Sequence, residues 1–128
     1  MIKMIKKNIF SILVALIILY LSLANAHTFD KVSFIDIPNI DKVVHFCMYF
    51  GFMSVIIFEN RNNIKSNGYL FLLGLIPLSF GILMEILQAT LTTTRSGSIF
   101  DALANSAGIL VSILLWLWLK PIKKEIIR

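Results

Sequence analysis

Six residues able to do chemistry, Glu85, Gln88, Arg95, Ser98, Asp101 and Asn105, fall within one stretch, GILMEILQATLTTTRSGSIFDALANSAG, from Gly81 to Gly108. His45 and the adjacent pair Asp41-Lys42 stand upstream of it. A histidine or carboxylate can act as general base, and an arginine can stabilise developing negative charge. These groups are set among residues apolar enough to lie in a lipid bilayer. An ionised Asp, Lys or Arg at a helix centre there costs about 2.5–3.5 kcal/mol on insertion scales. Such groups must face protein, water or a partner, so the elements that carry them must turn them toward a common interior.

Composition says what those elements are. Of 128 residues, 58% are hydrophobic and only 15% charged, whereas a soluble domain of this size carries roughly a quarter charged residues. The chain therefore reads as one integral membrane domain over residues 1–128, with no separate soluble module. The net charge of +5 is not a nucleic-acid signal, because the Lys and Arg sit at the ends and in one loop. A single cysteine, Cys47, excludes an internal disulfide and a Cys-rich metal site, and it reads as a small packing residue.

Four apolar runs predict four spans, at about 9–26, 41–58, 69–91 and 99–119. The first admits two readings. Lys3, Lys6 and Lys7 followed by Ile9–Ala26 form a retained first span or, given Ala24-Asn25-Ala26, a cleavable signal peptide. Residues 27–40 read as an outer loop ending at Pro38, with Asn39 as N-cap of the second span. Residues 59–68 read as a polar turn, 92–98 as a short turn and 120–128 as a basic tail. The N-terminus, the 59–68 turn and the tail hold nine of the twelve Lys and Arg, which puts both termini in the cytoplasm by the positive-inside rule. The expected fold is an all-α, four-transmembrane-helix bundle.

Within each span the polar and small residues share a face. Gly74, Gly81, Glu85, Gln88 and Thr92 fall at offsets 0, 7, 11, 14 and 18, and Asp101, Asn105, Gly108 and Ser112 at 0, 4, 7 and 11. Both series follow 3.6 residues per turn. Asp41 and His45 are four apart, and Tyr49 and Phe52 continue their stripe. With 1.5 Å rise per residue, Glu85 lies about 9 Å before the outer end of its span, and His45 and Asn105 lie about one to two turns below theirs. The three patches thus share one layer in the outer half of the membrane. Gly81, Ala104, Gly108 and Ser112 permit close helix approach there, and Lys42, His45 and Arg95 can balance Asp41, Glu85 and Asp101.

The pattern Asp41-Lys42-x-x-His45-Phe46 with Tyr49, then Glu85-x-x-Gln88, Arg95 and Ser98, then Asp101-x-x-x-Asn105-x-x-Gly108 resembles the VanZ-like family of small bacterial membrane proteins. The resemblance covers about residues 15 to 115. Leu21-Ser22-Leu23 also looks like the end of that family's first helix, which favours a retained span. Ser112 departs from a position often occupied by glycine, which bears on packing alone. The resemblance implies a multi-pass protein of the bacterial cytoplasmic membrane. The family's namesake is linked to low-level teicoplanin resistance, and no catalytic residue carries over.

Each candidate also has a plainer role. Ser98 and Asp101 form a capping box in outline. Arg95 can anchor a helix end, Asp41 and Lys42 can be boundary charges, and Glu85, Gln88 and Asn105 can be interhelical hydrogen-bonding groups. Three functions remain open. The polar cluster can bind a lipid head group or an amphiphilic antibiotic. It can catalyse a reaction on a lipid-linked envelope precursor, with Glu85 or His45 as base and Arg95 stabilising charge. It can be a structural network that fixes helix register. His45, Glu85 and Asp101 could together hold a metal, but one histidine with carboxylates has no recognised ligand spacing, so no metal or cofactor is expected. Membrane lipid is the expected partner, nucleic acid is not, and a homo-oligomer stays open.

Overall fold

The computed structural model describes residues 1–23, 40–91 and 99–127, with side chains as far as Lys120. The expected outer loop, the Thr92–Ser98 turn with Arg95 and Ser98, the Asn39 cap and Ala24-Asn25-Ala26 lie outside the described residues. The rest is all-α: α1 (Ile2–Lys7), α2 (Ile9–Leu23), α3 (Ile40–Asn60), α4 (Asn67–Leu91) and α5 (Ile99–Ile127).

Three helices, α3, α4 and α5 as far as Lys120, are long and apolar enough to cross a membrane. The apolar α2 is shorter, at 15 described residues, against the roughly 20 that a straight crossing needs. Two stretches read as flanking segments are helical. The basic start is α1, closed by Asn8, whose N–H bonds back to Met4 and Ile5. At the other end, α5 runs on to Ile127 instead of stopping near 119. The helix continues through Pro121, an unfavourable interior residue, into Lys and Glu residues that are good helix formers.

The helices are inside out relative to a soluble bundle. Large side chains such as Phe71, Leu72, Ile76, Leu83 and Leu114 are exposed, as lipid-facing groups must be, while polar ones turn inward. Toward the Asn60 end of α3 the interior is apolar: Phe52, Met53, Ile56 and Ile57 pack with Ile18 of α2, Leu70 and Leu73 of α4, and Ile109 and Ile113 of α5. Phe52 and Phe80 meet edge to face with centroids 5.6 Å apart. Cys47, read as a packing residue, is instead exposed. It sits two residues from both His45 and Tyr49, which puts it about 200° around the helix from the buried stripe.

Gly108 brings α3 and α5 together. A Cβ added there would meet the Phe46 carbonyl oxygen at 2.4 Å and the Phe50 nitrogen at 2.9 Å. No side chain fits at this backbone-to-backbone crossing. Ser54 and Ser112 then hydrogen-bond across the same interface at 2.8 Å. The start of α2 is tied down from a distance. Glu59 accepts hydrogen bonds from the N–H groups of Phe10 at 2.8 Å and Ser11 at 3.1 Å, and from the Ser11 hydroxyl. That is an N-terminal helix cap supplied by another helix, with its negative charge at the positive end of the α2 dipole.

Candidate functional site

At the opposite end of α3 from its apolar core, the first buried residue is His45, and Tyr49 lies one turn deeper. The helical period forces this order, because positions 45, 49, 52, 53, 56, 57 and 60 form the buried stripe of α3. On α4 the buried stripe ends with Gly81, Met84, Glu85 and Gln88. On α5, Asp101, Asn105 and Gly108 are buried in succession. The close α3–α5 crossing at Gly108 places Asn105, one turn away, beside His45. Gly81 does the same for α4: a Cβ there would be 3.0 Å from the Tyr49 ring and 3.3 Å from Asn105 Nδ2.

The outcome is one polar centre made by three helices. His45 Nδ1 lies 2.9 Å from Asn105 Oδ1. An amide oxygen only accepts, so Nδ1 carries the proton and donates. Glu85 Oε1 stands 3.9 Å from Nδ1, and Asp101 Oδ2 stands 3.8 Å from Nε2. His45, Glu85 and Asp101 are 5%, 9% and 7% exposed, and each offers one donor atom within 4.8 Å of the others. No local spacing announces this grouping, because the three residues come from three helices. Tyr49 Oη, Asp101 Oδ1 and Asn105 Nδ2 are buried with no hydrogen-bond partner among the described residues.

The other candidates go elsewhere. Gln88 is buried but donates to the Ser22 carbonyl at 2.8 Å, satisfying one of the acceptors left open in the last turn of α2. Asp41 and Lys42 pair with each other at 3.5 Å at the exposed head of α3, where the bundle interior has not yet begun. Arg95 and Ser98 lie outside the described residues. Ser54 and Glu59 are interhelical partners that the sequence spacing does not predict. A serine in an apolar run is the only local sign of the first, and the second pairs 48 and 49 residues away.

Two cavities matter. One of about 160 Å³ opens between α4 and α5 and is lined by Gly81, Ile82, Ala102 and Asn105, so it touches the polar centre from the side. A larger one of about 690 Å³ lies away from that centre, among Ser11, Ala15, Phe52, Asn60, Leu73 and Phe80, and is mostly apolar. The centre can therefore hold a polar atom or small group reached from the side, and its histidine is oriented for proton transfer at Nε2.

A family model described as VanZ/LLP1 matches residues 3–120, which include α2, α3, α4 and the apolar part of α5. No curated protein and no solved structure matches the chain.

Proposed function

Because the chain belongs to the VanZ/LLP1 family of membrane proteins, we propose that it binds the polar head group of a membrane amphiphile at the His45–Glu85–Asp101–Asn105 centre. The protein sits in the bacterial cytoplasmic membrane with both termini inside, and the centre lies in the outer half. The amphiphile is a lipid, a lipid-linked envelope precursor or an amphiphilic glycopeptide, in keeping with the family's link to teicoplanin resistance. One observation carries the reading: three helices converge buried polar groups, and Tyr49 Oη, Asp101 Oδ1 and Asn105 Nδ2 have no hydrogen-bond partner among the described residues. A purely structural network gains nothing from such groups, because each unsatisfied polar atom costs about 1–3 kcal/mol. The side cavity at Gly81 and Asn105 gives an approach from the lipid. Lys42, at the exposed head of α3, and Arg95, which the sequence sets between α4 and α5, supply positive charge to an anionic head group.

Catalysis is a second reading, favoured by the His45 ring. Asn105 fixes its tautomer and leaves the Nε2 lone pair free to take a proton from a substrate. Native mass spectrometry in mild detergent tests both readings, with lipid extracts and teicoplanin on wild type, Glu85→Gln and Arg95→Ala. Binding predicts a head-group-selective adduct weakened at least tenfold in Arg95→Ala. An adduct whose mass changes with time in wild type but not in Glu85→Gln would establish catalysis. The same non-selective adducts in all three proteins would sink both.

A further inference from the structure

We propose that His45, Glu85 and Asp101 form a binding site for one divalent transition-metal ion of the zinc type, with Asn105 positioning the histidine. The inference goes beyond the head-group reading and stands without it.

Since Asn105 Oδ1 accepts from Nδ1–H at 2.9 Å, the neutral His45 ring carries its lone pair on Nε2. That lone pair faces Asp101 Oδ2 at 3.8 Å. Two electron-rich atoms confront each other across a gap about 0.9 Å too long for a hydrogen bond. The gap is close to what two ligands of one ion span. Zinc bonds of about 2.1 Å at a tetrahedral angle put ligand atoms about 3.4 Å apart. A small side-chain rotation closes the difference.

The rest of the donor set agrees. Glu85 supplies a second carboxylate, whose Oε1 stands 3.9 Å from Nδ1 of the same ring, and each of the three residues offers one atom, a ring nitrogen or a carboxylate oxygen, within 4.8 Å of the others. Asp101 Oδ1, at a residue only 7% exposed, has no hydrogen-bond partner among the described residues, so this carboxylate is not consumed by the protein on that side. Two carboxylates buried beside a neutral imidazole are costly in a bilayer, and a divalent cation cancels their charge outright. One imidazole with two carboxylates suits zinc or manganese, and the absence of thiolate removes a softer choice. A metal-bound histidine characteristically donates its other N–H to an oxygen acceptor, as His45 does to Asn105. Three protein ligands also leave a coordination position for water or for an oxygen of a bound head group.

The test uses the full chain in mild detergent, stripped with chelator and then titrated with Zn²⁺ alone by calorimetry, with bound zinc counted by elemental analysis. The expected result is one zinc per chain in wild type and in His27→Gln. Affinity should fall at least tenfold in His45→Gln and Asp101→Asn, and by a factor of about 10–100 in Asn105→Leu, with recovery in Asn105→Asp. No stoichiometric zinc in wild type, or equal affinity in His45→Gln and Asp101→Asn, would overturn the proposal. If the site variants fail to fold, His27→Gln loaded with Cu²⁺ decides the matter by electron spin-echo spectroscopy. Its one remaining histidine is His45, so imidazole-nitrogen modulation is required, and its absence would refute the site. Titration with metal alone keeps this outcome separate from any result on amphiphile binding.

Discussion

Replacing Gly108 with alanine probes the α3–α5 crossing. The added Cβ would lie 2.4 Å from the Phe46 carbonyl oxygen and 2.9 Å from the Phe50 nitrogen. Both are helix backbone atoms, so no rotamer change relieves the clash. Reaching an ordinary contact of 3.4 Å at the carbonyl requires the helices to part by about 1 Å. The hydrogen bonds on either side of the crossing, His45–Asn105 at 2.9 Å and Ser54–Ser112 at 2.8 Å, would then stretch to about 3.9 Å, beyond useful range. Overpacking costs about 1–3 kcal/mol, and interhelical polar bonds in membrane bundles average about 0.6 kcal/mol each. The expected destabilisation is about 2–4 kcal/mol. Gly51→Ala is the internal control, because a Cβ there meets nothing within 4 Å. Both sites are helical, so the gain of about 1 kcal/mol in helix propensity is common to the two variants and cancels. Reversible unfolding in mixed micelles, followed by circular dichroism over an SDS titration, gives the difference. A Gly108→Ala protein within about 0.5 kcal/mol of Gly51→Ala would refute the backbone-to-backbone crossing.

Two further outcomes are expected. Glu59→Ala removes the acceptor for Phe10 N–H, Ser11 N–H and the Ser11 hydroxyl, with a cost of about 1–2 kcal/mol. Amide hydrogen exchange at Phe10 and Ser11 should accelerate, and unchanged exchange would show that the cap is not formed in the membrane. A double-mutant cycle on Ser54→Ala and Ser112→Ala should give a coupling energy of about 0.6 kcal/mol, and strict additivity would mean that the two hydroxyls do not meet.

Much of the bundle was legible because small and polar residues in an apolar helix mark its inner face. The repeats at Gly74, Gly81, Glu85 and Gln88 and at Asp101, Asn105, Gly108 and Ser112 are all buried. His45, Glu85 and Asn105 fall at one depth because helix rise is fixed. Periodicity does not tell where an interior begins along a helix. Asp41 shares the stripe of His45, yet its side chain is 51% exposed and paired with Lys42. Nor does it tell how one helix rotates against another, which decides whether three residues in a layer touch. Glu59 left no mark at all, because it looks like any polar residue beside a turn and its partners are 48 and 49 positions away.

That distant cap bears on how the chain is assembled. The first turn of α2 emerges during synthesis long before Glu59 exists, so its Phe10 and Ser11 amides at first have only water or head groups to bond. They gain their carboxylate once α3 has been made and its Asn60 end has come alongside. Asn60 follows at once, donating to Asn8 Oδ1 at 3.1 Å and to the Ile56 carbonyl at 2.9 Å. The cap on α2 is thus completed only by a carboxylate 48 and 49 positions further along the chain.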